Sequence, residues 1–115
     1  MISTLRRIIQ AVNDAPDLEA ALALLVRELR AAMATDVCTI YLRDRAANRL
    51  VFRATEGLNR DRVGQFSLGM DEGLVGWVAT RGEPLNLEEA DQHPHFQLIP
   101  DLGEEPFSTF LGAPI

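Results

Sequence analysis

Apolar residues in this chain change period once, and that change sets the fold class. Up to residue 34 they recur at steps of three and four: Ile2, Leu5, Ile8, Ile9 and Val12, then Leu18, Leu22, Leu25, Val26, Leu29 and Met33. Each set is one face of an amphipathic helix. From Val37 onward the step is two. Cys38, Ile40 and Leu42 alternate, and after a polar turn at 44–48 so do Leu50, Phe52 and Ala54. Two half-buried strands joined in a hairpin, closed by Gly57, carry that pattern. Helices first and then neighbouring strands predict an α+β domain with an antiparallel sheet.

Local chemistry sets the boundaries. Ser3 or Thr4 is available to cap the first helix, and Asp14-Ala15-Pro16-Asp17 ends it, because proline disfavours helical geometry in the residue before it. Asp17 suits the N-cap of the second helix, with Glu19 favourably placed in its first turn, and that helix ends near Ala34. After a charged loop at 58–62, Val63, Gln65 and Ser67 alternate with Gly64, Phe66 and Leu68 in a weaker third strand. A third helix, Leu74 to Thr80, opens at Gly73 and stops at Gly82. Leu74, Trp77 and Val78 form its apolar face, Val75 and Ala79 widen it, and Gly73, Gly76 and Thr80 make a small face. Glycine at 76 gives up about 1 kcal/mol of helix propensity relative to alanine. A backbone or a ligand is therefore expected to approach it closely. Residues 84–87 read as a short extended piece, 88–106 as irregular, and 107–115 as a second apolar extended run. No cap, charge or turn follows Ile115, so the single domain over 1–115 is expected to be C-terminally truncated.

Composition narrows the function classes. At 115 residues and 47% hydrophobic the chain can bury one core. Seventeen acids stand against eleven arginines and no lysine, a net charge of −6, with no basic stripe anywhere. Nucleic acid and anionic membranes are repelled by such a balance. The longest apolar runs, such as 20–26, fall far short of the roughly 20 residues that cross a bilayer, and no secretory pattern opens the chain. The one cysteine, Cys38, has no partner within the chain. A cytoplasmic location with neither nucleic-acid nor membrane partner is the expectation.

Candidate chemistry is thin. Cys38 sits mid-strand among apolar residues without a histidine or a resolving cysteine, so it reads as a structural thiol. His93-Pro94-His95 with Asp91 resembles a metal half-site, but zinc needs three or four supported ligands. Glu88, Glu89 and Asp91, and likewise Glu104 and Glu105, read as solvated loop acids, and Ser67, Ser108 and Thr109 lack a base at motif spacing. No catalytic residue, metal or cofactor is expected.

Four motifs in order supply more. Glu72-Gly73-Leu74-Val75-Gly76-Trp77-Val78, Gly82-Glu83-Pro84-Leu85-Asn86-Leu87, Asp91 with His95-Phe96, and Phe110-Leu111-Gly112-Ala113-Pro114-Ile115 resemble the signature of GAF domains. Residues 33–42, 71–73 and 93–100 further resemble one subgroup, the GAF domain at the N-terminus of nitrogen-related phosphoenolpyruvate–protein phosphotransferases. The resemblance implies a GAF-like antiparallel sheet with helices on both faces, completed beyond residue 115 by a strand inside the sheet and a long helix. It also implies a small-molecule sensor reporting nitrogen status, with glutamine or 2-oxoglutarate as ligand and downstream phosphotransferase domains as partners. The site residues it points to are Gly73, Leu74, Gly76, Trp77 and Phe96, with the helix start offering free N–H groups to an anion and Arg53 as a charged partner. Two further readings stand beside it: an interaction module whose helices form a homodimer around a vestigial pocket, and a cyclic-nucleotide-binding GAF domain.

Overall fold

The structure is a computed structural model that describes residues 2–97 and 109–114, without the side chains of residues 2–5, 9 and 12. The expected features at Leu98-Ile99-Pro100, Glu104, Glu105, Ser108 and Ile115 lie outside the described residues. Helices α1 (Ile2–Asn13) and α2 (Leu18–Met33) lead into strands β1 (Cys38–Asp44) and β2 (Arg49–Glu56). Then follow β3 (Ser67–Gly69), α3 (Gly73–Arg81), β4 (Leu85–Leu87) and β5 (Phe110–Gly112), with one-turn 3-10 helices at Arg60–Arg62 and Ala90–Gln92.

Helix α1 begins at Ile2, so Ser3 and Thr4 lie inside it and neither is its cap; a capping residue needs non-helical backbone. Asp17 does cap α2. Its backbone is extended and its Oδ1 accepts the Ala20 N–H at 2.8 Å. At the other end Ala34 turns left-handed (φ 53°), and the amides of Ala34 and Thr35 satisfy the carbonyls of Ala31 and Arg30.

Strands β1, β2 and β3 form an antiparallel sheet in that order. In the hairpin turn the Asp44 carboxylate accepts the amides of Ala46 and Ala47 at 3.1 and 3.3 Å, and Asn48 supplies the left-handed residue (φ 54°). A β-bulge then changes the expected parity. Ile40 pairs with Ala54 but Tyr41 pairs with Phe52, which leaves Arg53 as the extra residue. Leu50 and Phe52 therefore point to one face, while Ala54 joins Ile40 on the other, where simple alternation expected all three together. The third strand is shorter than its alternation predicts. Gly64 and Phe66 still bond to Phe52 (2.7 and 2.9 Å), but Gly64 is left-handed (φ 77°) and the regular ladder starts only at Ser67.

Helices cover both faces of this sheet, as expected. On one, Leu22 and Val26 of α2 pack on Ile40 and Ala54, with Leu25, Cys38 and Leu42 around them. On the other, Leu50, Phe52 and Leu68 form a cluster that Val75 and Ala79 of α3 close, together with Tyr41, Phe66 and Met70. Strands β4 and β5 pair separately, Leu85 with Gly112 and Leu87 with Phe110. The one sheet expected from the sequence is thus two ladders among the described residues.

Candidate functional site

The site is built around α3, and the loop before it fixes how that helix sits. Arg49 donates from Nε to the Ser67 hydroxyl (2.7 Å) and from its terminal nitrogen to the Ser67 carbonyl (3.1 Å). Its guanidinium also lies 3.8 Å from the Glu72 carboxylate, which accepts the Gly69 N–H at 2.9 Å. Gly73 then starts the helix with φ 63°, a conformation costly for any side chain with a Cβ. Gly76 sits directly against this loop: a Cβ there would meet the Met70 carbonyl oxygen at 3.0 Å and the Gly69 oxygen at 3.1 Å. Thr80 donates its hydroxyl to the same Met70 carbonyl. The small face of α3 is therefore where backbone meets backbone, which accounts for Gly76 without a ligand.

With the small face so occupied, Leu74, Val75, Val78 and Ala79 turn towards the sheet and wall a cavity of about 520 Å³. Its floor is β1 and the cluster beneath, with Thr39, Tyr41, Arg43 and Leu50, and its far side is Thr109 to Pro114. Phe96 and Gln97 add a third wall, Gln97 lying beside Gly73. Most of this lining is apolar. Arg43 is the one charged group among the described lining residues, and its guanidinium donates to the Asn48 side chain at 2.9 Å. The hydroxyl of Thr39, which lines the cavity, pairs with that of Thr55 at 2.9 Å.

Both sides of β1 contribute to the cavity, Leu42 as well as Tyr41 and Arg43, and so do consecutive residues of β5. The space consequently runs from beneath α3 out between two strand edges, each unpaired on that side among the described residues.

The structure brings together half of the residues expected at the site. Gly73, Leu74 and Phe96 line the cavity. Gly76 is held on the loop instead. Trp77 does not line the cavity: its ring lies 5.2 Å from that of His93 and 4.4 Å from that of His95, with the Arg81 guanidinium 4.1 Å from its centroid. Arg53 borders a different groove, beneath α2, alongside Glu19, Arg27 and Glu56. Alternation from Phe52, which faces α3, sets Arg53 on that side. Sequence reasoning missed Thr39, Tyr41, Arg43 and Gln97. The first three were within reach, because β1 parity sets them opposite Cys38, Ile40 and Leu42.

Other candidates take structural places. Cys38 packs at the edge of the α2 cluster, and burial pushes its thiol up from its ordinary value. The His93 Nδ1 accepts the His95 backbone N–H at 3.0 Å. No group of three metal-ligating side chains exists among the described residues.

A helix over a β-hairpin, walling a cavity from its Gly-rich start, is the arrangement that the four sequence motifs implied, and the family model of the GAF domain matches residues 17–115. The chain belongs to the GAF domain family. Its sequence is 44% identical over all 115 residues to a phosphoenolpyruvate-dependent phosphotransferase system protein of Escherichia coli K12, of which it spans only 15%. Two solved structures are similar as well. The GAF domain of a Coxiella burnetii phosphoenolpyruvate-protein phosphotransferase superposes with a TM-score of 0.91 at 45% identity, over 99% of this chain and 68% of that one. The GAF domain of the Acinetobacter phosphoenolpyruvate-protein phosphotransferase gives 0.86 at 41%, over 98% and 66%. This GAF domain is thus of the kind found in those phosphotransferases. Among its described residues no helix is long and apolar enough to cross a membrane.

Proposed function

We propose that this GAF domain is a regulatory sensor that binds a small nitrogen metabolite, glutamine or 2-oxoglutarate, and controls phosphotransfer by phosphotransferase domains of the same cytoplasmic protein. The observation that carries the reading is the cavity beneath α3. Its volume of about 520 Å³ falls in the range of small-molecule pockets, which are mostly apolar with a few placed polar groups. Leu74 at the helix start and Arg43 on β1 both border it, so free backbone N–H groups and one guanidinium are available to a carboxylate. Hydroxyls of Thr39 and Tyr41 and the amide of Gln97 suit the polar remainder of an amino acid or keto acid. The likeness to GAF domains of phosphotransferases supports the downstream partner.

Part of the same space is proposed to hold a strand that follows residue 115. The facing edges of β1 and β5 are suited to it, and the ligand then occupies what remains beneath α3. A second reading, an interaction module that forms a homodimer through its helices, is favoured by Leu18 and Met33, which stand 57% and 52% exposed at the two ends of α2. Calorimetry separates these readings. Glutamine or 2-oxoglutarate should give saturable heat; cyclic-nucleotide heat with neither metabolite would move the domain to another GAF branch, and no heat from any of them would leave the interaction module.

A further inference from the structure

The only tryptophan of the chain, Trp77, sits between two parts of one short segment and the helix that walls the cavity. His93 and His95 bring their rings to within 5.2 and 4.4 Å of the indole, and the two imidazoles lie 5.7 Å from each other. Arg81, one turn further along α3, stacks its guanidinium on the same ring at 4.1 Å. The segment itself is tied by three backbone donors. His93 N–H reaches the Ala90 carbonyl (3.1 Å), Phe96 N–H the His93 carbonyl (3.0 Å), and His95 N–H the His93 Nδ1 (3.0 Å). The next two residues, Phe96 and Gln97, wall the cavity. One turn of chain therefore grips the side of α3 that does not face the cavity with its histidines, and bounds the cavity with the residues that follow. His95 is exposed, and nothing in the cavity's own lining accounts for two imidazoles against an indole.

We infer that Trp77, His93 and His95 form an aromatic clasp that holds residues 93–97 as a closed wall of the cavity, so that ligand entry and exit are gated from the side of α3 away from the ligand. The inference rests on reading the cavity as the ligand site. Ring contacts of this kind are strong enough to hold a short segment shut and weak enough to let it open thermally. The gate acts on rates: loosening the clasp speeds entry and exit together and leaves the equilibrium affinity nearly constant.

The test is made in the whole protein with His95→Ala and, as the conservative variant, His95→Phe, which keeps a ring against Trp77. Neither change touches the core. Hydrogen exchange read on the peptide covering residues 90–97 should accelerate severalfold in His95→Ala and return in His95→Phe. The apolar anion 1-anilinonaphthalene-8-sulfonate, used as a probe of the cavity, should bind and leave at least threefold faster in His95→Ala, with an unchanged dissociation constant. Unchanged exchange, or faster exchange with unaltered probe kinetics, overturns the clasp. Absence of glutamine or 2-oxoglutarate binding in every variant overturns the proposed ligand alone, because the exchange and probe measurements need neither.

Discussion

The two faces of the β1–β2–β3 sheet are built from similar residues and end differently. Under α2, Leu22 and Val26 meet Ile40 and Ala54 in an aliphatic layer, with the groove of Glu19, Arg27 and Arg53 at its edge. Under α3, the fully buried Phe52 and its neighbours Leu50 and Leu68 fill only part of the space, and the rest is the cavity. The difference comes from the helices. Helix α2 has sixteen residues and presents its stripe along β1 and β2, whereas α3 has nine and is drawn by Gly76 and Thr80 onto the 69–71 loop. One face is packed along a long helix, and the other holds the cavity proposed to take a ligand. Substitutions on the first should therefore change stability alone, and substitutions on the second should change both.

The largest effect is expected from extending the chain past residue 115 by a strand and a helix. If a strand seats between the edges of β1 and β5, stability rises by several kcal/mol, and each kcal/mol moves the melting temperature by roughly 4–8 °C for a domain of this size. Differential scanning calorimetry on both lengths reads it. Equal melting temperatures would mean that those edges have no strand to receive.

Next come paired truncations, one on each face. Phe52→Ala should cost about 3–5 kcal/mol and Leu22→Ala about 2–5 kcal/mol in urea unfolding. Only the Phe52 variant should also weaken metabolite binding, because its cluster supports the cavity floor. Matching losses of affinity in both would erase the distinction between the faces.

Gly76→Leu follows, at about 1–3 kcal/mol, because the side chain must displace the loop backbone at 69–71. Metabolite affinity measured on the folded fraction should change little, since Gly76 contacts the loop and not the cavity. A large affinity loss at unchanged stability would return Gly76 to the ligand site.

These comparisons also show which parts of the molecule its sequence exposes. The α2 face was legible because leucine and valine at helical spacing and isoleucine at strand spacing can bury themselves in one way only. The start of α3 was legible through its glycines. The bulge was not: no glycine or proline marks residues 52–54, and only tertiary pairing shows that Arg53 is the odd residue. The error with Trp77 has a similar origin. Its position beside Leu74 and Val78 suggested a shared face, but on a nine-residue helix a step of three from Leu74 turns Trp77 far enough to meet the 93–95 segment. Arg43 is hidden from the sequence because it stands near the end of its strand, beside a polar turn, where a charged side chain reads as solvent-facing.

The smallest expected effect lies on the α2 face, at Cys38. Burial raises its thiol, so the folded chain holds that proton more tightly than the unfolded one. The associated stability is complete below the unfolded value and is lost as pH rises through the folded one. The urea midpoint should therefore fall slightly more between pH 7 and 10 in the native chain than in Cys38→Ala. Rapid alkylation of the native chain by iodoacetamide at pH 7 would contradict the packed thiol.

Arg43 tests most directly whether the cavity beneath α3 is the ligand site, because its side chain is exposed and, among the described residues, is hydrogen-bonded to the neighbouring turn. The measurement is a calorimetric titration of the native protein and of Arg43→Met with glutamine and with 2-oxoglutarate, with unfolding curves recorded on both. The account predicts saturable binding to the native protein, an affinity about ten- to a hundredfold weaker in Arg43→Met, and stabilities within about 0.5 kcal/mol of each other. Binding of the same affinity in both proteins would contradict it.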